Sequence, residues 1–264
     1  QSYKRSSENN TLRYITQYPA RGNIYDRNGN LLVYNEAIYD LMVVPRQVKN
    51  IDTIAFCSVV NISPDNFRER MLKARRYSSI RPSVFMPQIT KEEYGLIAEN
   101  LHMYPGFFFQ TRSVRNYPYP VASHALGNIG EVNKKDLDKD PYYSVGDYIG
   151  KSGIESFYEK ELRGDKGLKI ILVDVHNREK ERFMDGKFDT IPVAGKDIYL
   201  GLDVHLQAYG EALMKNKTGS IVAIEPSTGQ ILAMVTSPSY DPNELVGRVR
   251  GENYQRLLED TLRP

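Results

Sequence analysis

The chain contains no tryptophan and one cysteine, Cys57. A single thiol excludes an intrachain disulfide, and Cys57 reads as a small buried apolar side chain rather than a reactive group. No apolar run approaches the ~18 residues that a bilayer span requires. The polar opening, Gln1 to Asn10, holds no signal-peptide core. Either the protein is soluble or an anchor lies upstream. Charge of one sign is also lacking: 35 Lys and Arg face 33 Asp and Glu, a net charge of +2. That balance calls for no polyanionic partner and argues against a nucleic-acid binder. His102, His124, His176 and His205 each stand alone, without metal-ligand spacing, and no cofactor or metal is expected. No internal repeat or low-complexity segment is visible.

What is present suits a folded protein of one large or two modest domains: 264 residues, 41% hydrophobic and 26% charged. With 19 Tyr and 9 Phe, aromatic burial falls mostly to tyrosine. The most informative stretch runs from Gly219 to Asn243. Ile221 to Ile224 and Ile231 to Val235 flank Glu225-Pro226-Ser227-Thr228-Gly229, which predicts a hairpin. Both strands are apolar on both faces, as in a sheet covered on two sides. Few residues follow Asn243, so the chain is expected to open a second domain here and stop before completing it.

Earlier segments read clearly. Asp26-Arg27-Asn28-Gly29 is a turn signal suited to a type I′ hairpin between Ile24 and Leu31 to Val33. Ile38 to Val44 predicts a separate strand. Ser63-Pro64-Asp65 opens a helix, with Phe67, Met71 and Ala74 at helical spacing. Arg68, Arg70, Lys73, Arg75, Arg76 and Arg81 cluster there; Asp65 and Glu69 interrupt them, so a solvated helix face is expected over a nucleic-acid site. Thr90 to Glu93 is a capping box for a helix reaching about His102. Phe107 to Pro118 predicts a strand. Ile154, Tyr158 and Leu162 fall on one helix face closed by Gly164. Gly150-Lys151-Ser152 fails as a phosphate loop, because the glycine that such a loop needs five positions before Gly150 is absent. Gly167 to Val175 predicts a strand returning through Lys180 to Met184. Asp203 caps a helix whose face is Leu206, Tyr209 and Leu213. His124 reads as a helix-end hydrogen-bonding group.

Four motifs then occur in one order. Arg21-Gly22-x-Ile24-x-Asp26-Arg27-Asn28-Gly29 resembles the opening signature of the class B penicillin-binding-protein dimerisation, or pedestal, domain. Arg115-Asn-Tyr-Pro118 through Gly130 resembles a second family stretch. Gly150, Gly153, Ile154, Glu155, Tyr158, Glu159, Leu162 and Gly164 match a third. Pro192 to Asp203 resembles a fourth, a family strand, with Gly201 in place of the family's threonine, and the Gly219–Asn243 hairpin resembles the start of the transpeptidase domain. Motif spacing and Tyr240-Asp241-Pro242-Asn243 resemble the elongation-type members. Arg21, Gly22, Asp26, Arg27, Gly29, Gly150, Gly153, Glu155, Tyr158 and Gly164 are therefore assigned structural roles, with Arg21 and Asp26 of suitable chemistry to pair.

The resemblance implies an elongated α+β fold: a pedestal over residues 1–200 with a head at about 37–130, then a transpeptidase fragment at 201–264. That fragment, lacking partners for its edges, is expected to be disordered, re-paired or packed in a non-native way. Family catalysis uses Ser-x-x-Lys. No serine here is followed by lysine three positions on, and Lys217-Thr218-Gly219 precedes the first domain strand, so it reads as a turn. No catalytic residue is assigned, and this chain is expected to be inactive. For the whole protein the resemblance implies a peptidoglycan D,D-transpeptidase acylated by β-lactams. It would act on a peptidoglycan precursor at the extracytoplasmic side of the bacterial cytoplasmic membrane, held by an anchor helix outside this chain. Its implied partners are a SEDS-type peptidoglycan polymerase and a rod-shape scaffold protein. The competing readings are a stand-alone scaffold module of the elongation complex, which the hairpin weakens, and a hydrolase of another class, which no nucleophile–base pair supports.

Overall fold

The computed structural model describes residues 11–49, 51–144, 146–173, 179–247 and 250–260. Along the chain come β1 (Thr11–Gln17), β2 (Ile24–Tyr25), β3 (Leu31–Val43), α1 (Thr53–Val60), α2 (Pro64–Tyr77), β4 (Ser83–Ile89), α3 (Lys91–Asn100) and β5 (Phe107–Asn116). Next are α4 (Ser123–Leu126), β6 (Ile129–Glu131), α5 (Lys134–Lys139), β7 (Tyr148–Gly150), α6 (Gly153–Phe157), α7 (Glu159–Arg163), β8 (Gly167–Val173) and β9 (Glu179–Arg182). β10 (Ile198–Tyr199), α8 (Val204–Leu213), β11 (Gly219–Ile224), β12 (Ile231–Ser237) and α9 (Arg250–Glu259) complete it. The mixed order is α+β, as expected.

The chain divides into two compact units: residues 36–114, and residues 1–35 with 115–264. The sequence reading carried the head to about residue 130. Residues 115–130 instead cluster with the second of these units, because Tyr117, Ala122, Ala125 and Leu126 join the core of Ile24, Val33, Leu162 and Leu202.

In the 36–114 unit, Asp52 accepts from the amides of Ile54 and Ala55 to start α1, and Ser63 caps α2 ahead of Pro64. Thr90 and Glu93 form the expected capping box at α3. The helices close over Leu41, Val43, Phe85 and Phe107. Phe56 stands edge-on to Phe67, Phe85 and Tyr104, with ring centroids 5.5, 5.8 and 4.9 Å away. β4 pairs antiparallel with the distal half of β3, Tyr39 opposite Ile89. The two strands expected at Leu31 to Val33 and Ile38 to Val44 are one strand, β3. No glycine or proline lies between Leu31 and Val43, and Tyr34, Ile38 and Tyr39 favour extended backbone.

In the other unit, β8 pairs with β1 on one side and β9 on the other. β1 escaped the sequence reading, since its mix of polar and apolar residues alternates weakly; it is an edge strand with Tyr14 opposite Ile170. The Asp26 turn is not a two-residue type I′ loop. Asn28 keeps a negative φ, the Gly29 amide donates to the Asp26 carbonyl, and only Gly29 adopts positive φ, at +84°. Three loop residues with one left-handed glycine is the alternative that the twist of a hairpin accepts.

The hairpin of β11 and β12 forms with Ile221 opposite Val235. It is a two-stranded sheet among the described residues, with one face on α8 and the other carrying exposed Val222, Ile224 and Met234. The expected disorder or re-pairing over 201–264 is therefore corrected for the described part. α8 also turns the opposite face inward from the one expected. Leu206, Tyr209 and Leu213 are exposed, whereas Val204, Gln207 and Gly210 are buried. Gly210 admits Val235 close against the helix. Gln207 receives the Met234 amide at 2.8 Å and donates to the Met234 carbonyl at 3.0 Å, so one side chain satisfies both backbone groups of a strand residue.

Candidate functional site

The first motif sits where three backbone segments meet. Gly22 donates to the Leu162 carbonyl at 2.8 Å, Gly195 to the Ala20 carbonyl at 2.9 Å, and Ile198 to the Asn23 carbonyl at 2.9 Å. A Cβ on Gly22 would lie 1.9 Å from the Lys196 carbonyl oxygen. The position requires the absence of a side chain and has no need of an unusual φ.

Arg21, fixed by this crossing, reaches the third motif rather than Asp26. Its Nε donates to Glu155 Oε2 at 2.8 Å, and its Nη2 to Glu159 Oε2 at 2.6 Å and the Glu155 carbonyl at 3.1 Å. Arg115, from the second motif, lies with Nε 2.8 Å from the other Glu155 oxygen, and both side chains are wholly buried. Arg115 Nη1 donates to Asn35 Oδ1 at 3.1 Å, and Asn35 donates to the Arg21 carbonyl. Glu159 also accepts from the Tyr143 hydroxyl at 2.7 Å and the Gly150 amide at 2.8 Å. Two cations and two anions thus close a neutral cluster that draws together three motifs far apart in sequence.

Electrostatics follow the packing. Burial pulls Arg21 downwards, but the charges and hydrogen bonds of Glu155 and Glu159 outweigh it, leaving the guanidinium above its ordinary value. Burial holds Arg115 below the usual arginine value; Glu155 opposes that shift and Arg21 adds to it. Burial, then the charge of Glu155, raises the Tyr117 phenol, which donates to the Gly127 carbonyl. Burial and the bond to Glu159 raise Tyr143 likewise. The cluster fixes geometry and has no nucleophile.

Asp26 serves a second joint. Its side chain, fully buried, accepts from the amides of Asn28 and Asn30 at 2.8 Å, from Asn30 Nδ2 at 2.9 Å and from the Val204 amide at 3.2 Å. Arg27 donates its amide to the Leu202 carbonyl at 2.9 Å, and Asn28 Nδ2 donates to Asp203 at 3.0 Å. The Arg27 guanidinium lies 3.7 Å from Glu225 in the hairpin turn. Burial raises the Asp26 carboxyl, but the bonds from Asn30, Val204 and Asn28 prevail and hold it below the ordinary value. The folded carboxyl is thus the stronger acid. Its contribution is complete above the unfolded value of about 3.9 and is lost as pH falls through the folded value. Asp26→Asn is expected to lower stability at neutral pH by about 1.5–3 kcal/mol. It should also flatten the fall of the thermal midpoint below about pH 4. Melts followed by circular dichroism across pH check both, and an unchanged acid slope would remove Asp26 from the account.

The remaining expected positions scatter around these joints. Gly153 opens α6, Gly150 ends β7 against it, and Gly164 closes α7 beside Val193. Tyr158 is 39% exposed at a break between α6 and α7, so the face shared with Ile154 and Leu162 is interrupted. Arg115, Glu159, Tyr143 and Asn35 were not singled out as site residues; Arg115 and Glu159 lie within matched motifs, and no local signal marks Tyr143 or Asn35. Lys217 lies in the turn after α8 with Nζ on the Leu213 carbonyl, 2.6 Å away. His124 lies edge-on to Tyr240 at 5.4 Å. His176 lies outside the described residues. Among the described residues no group of three or more His, Cys, Asp or Glu could hold a metal, and no helix is long and apolar enough to cross a membrane.

Comparisons with known proteins agree with this order of segments. Residues 16–200 match the penicillin-binding-protein dimerisation domain, and residues 219–264 match the penicillin-binding-protein transpeptidase domain. The chain is 36% identical to peptidoglycan D,D-transpeptidase MrdA of Salmonella typhimurium strain SL1344, over 98% of this chain and 42% of that protein. It is 35% identical to MrdA of Escherichia coli K12, over 99% of this chain and 42% of that protein. The chain thus spans well under half the length of these relatives. A solved complex between penicillin-binding protein 2 and MreC from Helicobacter pylori is similar at 26% identity and a TM-score of 0.76, over 96% of this chain and 48% of that one.

Proposed function

We propose, for a chain that belongs to the penicillin-binding-protein family on its match over residues 16–200, that it is the non-catalytic pedestal of a peptidoglycan D,D-transpeptidase. That enzyme cross-links cell-wall peptides during lateral wall synthesis. The carrying observation is the Asp26 turn, whose carboxylate accepts from the Val204 amide while Asn28 holds Asp203. The signature that opens the pedestal thereby grips the first helix beyond it. A pedestal of this kind would present a catalytic domain in a fixed orientation. No serine here has lysine three positions on, so this chain is inactive in this reading and the acylated serine lies in further sequence.

The activity belongs on the extracytoplasmic side of the cytoplasmic membrane. A rod-shape scaffold protein is the first partner proposed, supported by the MreC complex of the Helicobacter pylori relative. A SEDS-type polymerase is the second. Acylation by a fluorescent penicillin tests the reading, on this chain and on a longer version carrying the rest of a transpeptidase domain. Labelling of the longer version alone is the expected result. Labelling of neither would favour a stand-alone scaffold, and labelling of this chain would overturn the assignment.

A further inference from the structure

We propose that the C-terminal end of α2, the loop after it and the turn at Arg46 together form a docking surface for an anionic phospholipid bilayer. The Arg46 amide donates to the Ser79 carbonyl at 2.9 Å, which brings the 45–47 turn beside that loop. Ser78 Oγ accepts from the Arg81 amide at 3.0 Å and the Ile80 amide at 3.3 Å, so the loop is held in shape. Arg46, Lys73, Arg75, Arg76 and Arg81 are all exposed here. None of these five forms an ion pair among the described residues, whereas Arg68, one turn back, is engaged by Asp65 at 3.3 Å. The whole-chain charge of +2 conceals this local excess.

A cation in the last turn of a helix is expected from the helix dipole. That accounts for Arg75 and Arg76 and leaves Lys73, earlier on α2, and Arg46 and Arg81, which belong to other segments. Apolar groups stand among the cations: Tyr77 is 70% exposed, Leu72 54% and Ile80 44%. A soluble polyanion gains nothing from them. A bilayer interface takes up the apolar groups at the acyl boundary while the guanidinium groups stay among the phosphates. The mixture therefore selects a lipid surface among anionic partners.

The test is co-sedimentation of the 264-residue chain with phosphatidylcholine vesicles prepared with and without phosphatidylglycerol, at low and high salt. Binding to the anionic vesicles alone, weakened by salt, is expected. Arg75→Gln/Arg76→Gln should weaken it about thirtyfold. Tyr77→Ser/Ile80→Ser should lower binding and keep the salt dependence. Far-UV circular dichroism confirms that each variant is folded. Equal binding to both vesicle types, no binding to either, or binding unchanged in Arg75→Gln/Arg76→Gln would overturn the proposal. So would capture of soluble polyphosphate without partition into anionic vesicles.

Discussion

Replacing Glu155 by Gln is expected to lower the unfolding free energy by about 3–5 kcal/mol. The substitution is nearly isosteric, so the loss comes from charge rather than volume. Arg115 is wholly buried with Glu155 as its counter-charge, and Asn35 offers it a neutral oxygen. Arg21 is better placed, because Glu159 remains beside it at 2.6 Å. A buried ion left unpaired costs far more than a pair contributes, and an apolar substitute for the pair can be neutral. Adding Arg115→Met to Glu155→Gln should therefore recover at least half of the loss. Urea titrations followed by circular dichroism suit a chain without tryptophan. A loss below about 1 kcal/mol for the single variant would mean that water reaches the cluster.

Gly22→Ala is expected to cost about 3 kcal/mol, the upper end of overpacking penalties. The added carbon would meet the Lys196 carbonyl at 1.9 Å and the Asp197 amide nitrogen at 3.2 Å, and both are backbone. No rotamer change relieves that contact; β2 and the 195–198 segment must separate. Gly29 fails differently. Nothing lies within 4 Å of a Cβ there, and its φ is +84°. Asparagine tolerates that conformation, so Gly29→Asn should cost under about 1 kcal/mol while Gly22→Asn is at least as damaging as alanine. Equal losses for the two asparagine variants would refute the steric account of Gly22.

Local chemistry was legible wherever a few adjacent residues complete it. The Thr90–Glu93 box, the Ser63 cap and the β11–β12 hairpin each need only neighbours. The partner of Arg21 was not legible. Asp26 lies five places on and has suitable charge, but its carboxylate is consumed by amides of its own turn and of Val204. Glu155 is 134 positions away, and only the folded core brings it close. The buried face of α8 misled for another reason. Leu206, Tyr209 and Leu213 carry the hydrophobic signal, whereas the strand beneath selects a small residue and an amide, Gly210 and Gln207.

That amide has a consequence for how this region tolerates sequence change. Gln207 grips the backbone of residue 234 and is indifferent to its side chain, which points to the opposite side of the hairpin and is 36% exposed. The attachment of helix to hairpin and the character of the hairpin's outer surface are therefore independent variables. Substitutions at Val222, Ile224 or Met234 can re-tailor that surface while the helix keeps its hold.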